Sequence, residues 1–182
     1  MRFFGTFLPA VGIAMLGAVS VLAQCSDTIL AGLNEVTQAS RDLRDVVEAI
    51  EAGNVLTQGP KVAAGLTQIG QTVTTLTQQI SQEIAQGNCQ PFPDDVAEDV
   101  VDAFVVFVMV HQDLLDTIIG KHGILQYTPF GPPIAAALRS LEAIVDAFAY
   151  LLISLIPTRP DDIKGPLMDL DQTFTDAIST YS

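Results

Sequence analysis

The chain has 182 residues and a formal net charge of −13, from 21 acidic and 8 basic side chains, and about half of its residues are hydrophobic. A field of that sign repels phosphate backbones, so nucleic acid is excluded as a partner. The length suits one domain with one core.

Residues 1–23 read as a secretory signal: Arg2, then an apolar stretch from Phe7 to Leu22, then Val21-Leu22-Ala23 as a small-residue cleavage site. The expected mature domain is 24–182, secreted and extracellular. Outside the leader the longest uncharged apolar run is Ala147 to Ile156. That is well short of the ~20 residues a membrane span requires, so no transmembrane segment is expected. Asn34, Asn54 and Asn88 lack a glycosylation sequon, and Thr175 to Ser182 carries no hydrophobic anchor signal. The product is expected to be released, with cell-wall association as the alternative. Cys25 and Cys89 both lie beyond the leader, and a secreted context allows them to pair. Closing that loop removes about 4 kcal/mol of unfolded-chain entropy.

Five helical segments follow. From Asp27 to Ala52 the positions Ile29, Leu33, Val36, Ser40, Leu43, Val47 and Ile50 alternate steps of four and three, with Gly53 as the stop. A second segment after Gly59-Pro60 carries Val62, Leu66, Ile69, Val73, Leu76 and Ile80 at the same spacing and ends at Gly87-Asn88. The third starts at Asp94-Asp95 behind Pro91 and Pro93, a proline and acid combination that suits a helix start, and runs to about Lys121. The fourth begins near Pro132-Pro133 and stops before Pro157. The fifth follows Pro160, with Gly165-Pro166 expected to delay or kink its start. No stretch alternates with period two, so the fold class is all-α. Short loops between long helices make it an antiparallel bundle of about five helices with one disulfide.

The third and fourth helices are more apolar than one buried stripe needs. On a helical wheel Asp95, Glu98, Asp99, Asp102, Asp113 and Asp116 share one side of the third helix, together with Val106 and Met109. The acids read as a solvated face, because they lack the loop spacing of a calcium site. Val106 and Met109 are the surface-adhesion candidates. The opposite side holds Phe104, Phe107, His111, Leu114, Leu115 and Ile118. Phe104, Phe107, Phe148 and Leu152 are either plain core or the lining of an acyl-chain tunnel. His111 or Tyr150 would then stand near the polar head, and a buried His111 needs a partner such as Tyr150, Asp146 or a water. His122 lies too far along the helix to share a metal with His111, so no metal and no cofactor are expected. Arg139 and Glu142 look like a surface pair. No nucleophile, zinc or phosphate-loop motif is present, and an enzyme is not expected.

The words His111-Gln112-Asp113-Leu114-Leu115, Ile119-Gly120-Lys121-His122-Gly123, Pro129-Phe130, Pro133, Leu138-Arg139-Ser140-Leu141-Glu142 through Val145-Asp146, and Ile156-Pro157-Thr158 resemble the fungal hydrophobic surface-binding protein A family, also called cell-wall galactomannoproteins. The resemblance implies a secreted fungal helical protein that adsorbs to hydrophobic surfaces, in some relatives recruiting secreted hydrolases and in others enclosing a fatty acid among five helices. The chain departs from the wall-attached members in lacking a Ser/Thr-rich or anchor-bearing tail, which puts wall attachment in doubt. The functional expectation is therefore a secreted, non-enzymatic protein that binds hydrophobic surfaces or material. Its alternatives are a soluble fatty-acid carrier with the ligand inside the bundle, and a secreted effector or wall component that binds another protein.

Overall fold

The computed structural model describes the backbone of residues 16–182, and the side chains from residue 24 onward. It contains α1 (Leu16–Glu48), α2 (Val55–Ala85), α3 (Asp94–Gly120), the single turn α4 (His122–Leu125), α5 (Gly131–Leu155) and α6 (Pro160–Thr180), with no strand among the described residues. The expected leader overlaps the start of α1, and the rest of it lies outside the described residues.

Each long helix packs against two others, in the ring order α1, α2, α5, α6, α3 and back to α1. Paired positions give the directions. Ser40 meets His111 and Lys121 meets Glu48, so α1 and α3 run parallel. Gly65 of α2 lies under Leu43 and Gly32 of α1 lies under Leu76, so α1 and α2 are antiparallel. Helices that follow one another in the chain therefore alternate in direction, as short connections demand. A closed ring of five has no central helix. Its axis must be filled by side chains, and here large ones meet there: Phe104, Phe107, Phe148 and Phe174 are all buried.

The helix limits follow local chemistry. Asp94 and Asp95 stand at the positive end of the α3 dipole, behind Pro93 in extended conformation. Arg159 bridges Asp94 at 3.0 Å and Glu98 at 3.5 Å, fastening the start of α6 to the start of α3. At the other end, Lys121 Nζ donates to the carbonyls of Glu48 (2.7 Å) and Ile50 (3.0 Å), satisfying the orphan acceptors at the end of α1. Asn54 donates to Ala49 O and accepts from Glu51 N-H, which turns the chain before Gly53 and ends α1 four residues earlier than expected.

Both internal prolines are absorbed rather than obeyed. Pro60 lies inside α2 and Pro166 inside α6, so α2 starts at Val55 instead of after Gly59-Pro60, and α6 is continuous from Pro160. The carbonyls that lose a helical donor belong to Leu56 and Asp162, both exposed residues, so the cost of the missing bond is smaller than it would be in the core. Cys25 and Cys89 form a disulfide that joins the α1 side of the ring to the loop after α2. At the same end Phe92 N-H donates to Leu155 O at 2.7 Å. By length and composition alone α3 is apolar enough to cross a membrane. In the ring its apolar side packs on α1 and α6 while all six acids of its outer stripe are exposed, as the wheel predicts.

Candidate functional site

The axis of the ring is aromatic with one polar break. Phe104 and Phe107 lie with ring centroids 6.0 Å apart, Phe107 and His111 5.3 Å, and His111 and Phe174 5.5 Å, so the imidazole is sandwiched between phenyl rings of α3 and α6. His111 is fully buried. Its Nδ1 lies 2.9 Å from Ser40 Oγ of α1, itself buried, while Nε2 has no hydrogen-bond partner. An unpaired buried polar atom of this kind costs about 1–3 kcal/mol. Burial alone depresses the His111 pKa to about 4, so the ring is neutral at pH 7.

Ser40 interrupts the apolar stripe of α1 as His111 interrupts that of α3, and the two breaks meet. The partner of His111 is thus Ser40, not Asp146 or Tyr150. Tyr150 is 65% exposed and belongs to the outer surface. The reason is helical geometry: Tyr150 is two residues past Phe148, roughly 200° around the helix, so both cannot face the axis. Leu152 is fully buried with Phe148 on the inner side of α5. Phe174 occupies the axis too, although its place in the fifth apolar stripe marked it only as core.

Val106 and Met109 are 46% and 64% exposed between the carboxylates of α3, where the wheel puts them. His122 lies at the bundle end, edge-on to Tyr181 with centroids 5.1 Å apart. Tyr181 is buried and donates its hydroxyl to Ile118 O at 2.6 Å. Arg139 reaches Ser182 Oγ at 2.6 Å and makes no bridge to Glu142. Without it, Glu142, Asp146 and Asp171 form an acidic seam between α5 and α6. Asp171 is pushed up to about 6 by partial burial, with Asp146 and Glu142 adding to the shift.

Open space lies elsewhere, in grooves on both flanks of α2. Two, of about 510 and 400 Å³, run between α1 and α2, and two, of about 260 and 790 Å³, between α2 and α5. None of these four is lined by the axial aromatics. The 260 Å³ groove does reach Leu66 and Leu141, which are buried core residues. The α2 side of these grooves is mostly Gln, Thr, Ala and Gly, with Lys61 as its one charged lining residue. Where Leu43 covers Gly65, the absence of a Cβ lets α1 approach, since a Cβ there would lie 2.5 Å from the leucine side chain.

No family model matches the chain. No curated protein matches it either. Two solved structures share the fold. AfMp4p, crystallised in complex with palmitic acid, superposes with a TM-score of 0.77 at 20% identity, covering 86% of this chain and 99% of that one. Ligand-binding domain 1 of the Penicillium marneffei MP1 protein, complexed with arachidonic acids, superposes with a TM-score of 0.62 at 18% identity, covering 91% and 99% respectively.

Proposed function

We propose that this chain is a secreted, non-enzymatic carrier that takes a long-chain lipid along the axis of its five-helix ring. The observation that carries the reading is the axis itself: Phe104, Phe107, His111 and Phe174 in a chain of ring contacts, Phe148 and Leu152 buried on the inner side of α5, and His111 bonded to Ser40 through Nδ1 with Nε2 left without a partner. A core built only for stability gains nothing from that atom, whereas a ligand with a polar head and an apolar tail uses both parts. The two structures of the same fold hold palmitic and arachidonic acids, which supports the same ligand class here.

In the described structure the phenyl rings fill the axis, so an entering chain must displace them. Room comes most readily beside α2, where Gly59, Gly65 and Gly70 lie against side chains of neighbouring segments and open grooves run along both flanks. The test is displacement of a fluorescent long-chain fatty acid from delipidated protein. Tight, saturable binding that Phe107→Ala or Phe148→Ala changes, with the fold intact by circular dichroism, supports the assignment. Binding unaltered in both variants removes the axis from it.

A second reading rests on the exposure of Val106 and Met109 within an acidic stripe. Lone apolar residues are common on surfaces, but this pair is also what adsorption to hydrophobic material, as in the surface-binding family the sequence resembles, would use. Adsorption to a hydrophobic bead that Val106→Ser and Met109→Ser abolish, while the Phe variants keep it, would make the surface the functional element.

A further inference from the structure

The protonation of His111 can be read from its contacts. Ser40 Oγ lies 2.9 Å from Val36 O and 2.9 Å from His111 Nδ1. A carbonyl oxygen has no proton to give, so the short contact to Val36 is bridged by the serine hydroxyl hydrogen. The contact to His111 must then be bridged by a proton on Nδ1, donated to Ser40 Oγ. A neutral imidazole carries one N-H, and Nε2 is left as a bare lone pair on the side of the ring away from Ser40. That atom accepts and cannot donate.

No charge is at hand to change this. Across the described residues the buried polar side chains are Ser26, Thr37, Ser40 and His111, with Tyr181 at the bundle end as the other buried ionisable group. On α1, Arg44 one turn beyond Ser40 is engaged at the surface by Asp45 and Asp113. On α3 and α6 the imidazole faces Phe107 and Phe174. On α5 and α6 the ionisable groups turned toward the seam are Glu142, Asp146 and Asp171, all acids, with one oxygen each of Asp146 and Asp171 buried and unpartnered, and the buried positions of α2 are entirely apolar.

We propose that the ring accepts its lipid with an uncharged head, a carboxylic acid or alcohol O-H donating to His111 Nε2, so that binding a fatty acid from neutral solution takes up one proton from the solvent. This rests on the axial lipid reading above and narrows the ligand class within it. A carboxylate would bring two acceptor oxygens to an acceptor nitrogen in an apolar axis, with no cation to receive them. The proton balance is simple: the dissolved anion and one solvent proton become the bound acid, and the protein keeps its own.

The experiment compares decanoic acid with 1-decanol on delipidated full-length protein between pH 6 and pH 8. Both ends lie above the usual carboxylate range, so the apparent affinity for the acid should fall about tenfold per pH unit, roughly a hundredfold in all, while that for the alcohol stays level. Calorimetry at pH 7 in two buffers of different ionisation enthalpy should count one proton taken up per acid bound and none per alcohol. His111→Leu, which keeps the axis apolar, should weaken both ligands by up to about tenfold, the worth of one hydrogen bond. Acid binding that is flat from pH 6 to pH 8, or unaffected by His111→Leu, overturns the proposal and leaves the carrier reading standing. If neither ligand binds at any pH, the carrier reading falls and takes this one with it.

Discussion

The buried imidazole should make the protein acid-sensitive in a defined window. The pKa of His111 is 6.5 as an ordinary histidine and about 4 in the fold. Between those values the unfolded chain binds a proton that the native state refuses. The contribution of His111 to stability is therefore whole above pH 6.5, is lost progressively as the pH falls to 4, and loses nothing further below that. A gap of that size corresponds to about 3 kcal/mol, a large part of the total for a domain of this length. Asp171 works against it. Its pKa is raised to about 6, so the native state takes that proton first and gains stability as the pH falls through the same interval. The perturbation must isolate the two: urea unfolding followed by circular dichroism at pH 7 and pH 4, for Asp171→Asn and for Asp171→Asn combined with His111→Gln. The single variant should lose about 3 kcal/mol more than the double variant on going to pH 4. Equal losses in the two would show that His111 does not titrate between the states, and the reasoning from its burial would be wrong.

Other consequences follow from the same packing. Asp171→Asn should stabilise the protein at pH 7, where it removes a crowded carboxylate, and the gain should shrink toward pH 4 in thermal melts. Phe107→Ala should cost about 3–5 kcal/mol in urea unfolding if the axis is packed as tightly as an ordinary core, and less if the ring borders a ligand space. Titration of the folded protein should find no reactive thiol, since Cys25 and Cys89 are bonded. Replacing both by serine should cost about 4 kcal/mol in the loop-entropy account. Arg159→Ala should cost no more than about 1 kcal/mol, and added salt should shrink the effect, because its partners Asp94 and Glu98 are both well exposed.

Much of the architecture was legible in the apolar spacing, because burial on one face is what decides a helix in a bundle. The inward placement of Phe104, Phe107, His111, Phe148 and Leu152 and the outward placement of Val106 and Met109 follow from the 100° step alone. The prolines misled, since Pro60 and Pro166 read as breakers although the carbonyls they leave unpaired belong to exposed residues, where the loss is mild. The single turn α4 carries no periodic pattern to detect. The polar centre was half visible: Ser40 and His111 are matching breaks in two apolar stripes, but that they meet depends on α1 and α3 being ring neighbours running parallel, which no spacing reveals. Tyr150, an alternative to His111 for the polar head on chemistry alone, is turned outward by the same 100° step that turns Phe148 inward. Phe174 was invisible as a site residue for a similar reason, because its stripe looks like any other until the ring closes.

The central claim is that the ring encloses one lipid molecule, and native mass spectrometry of the delipidated full-length protein titrated with palmitic acid tests it most directly. The account predicts a single adduct that saturates at one lipid per chain and persists under mild activation. No adduct, or a ladder of adducts that grows without limit as lipid is added, would mean that lipid meets only the outside of the bundle.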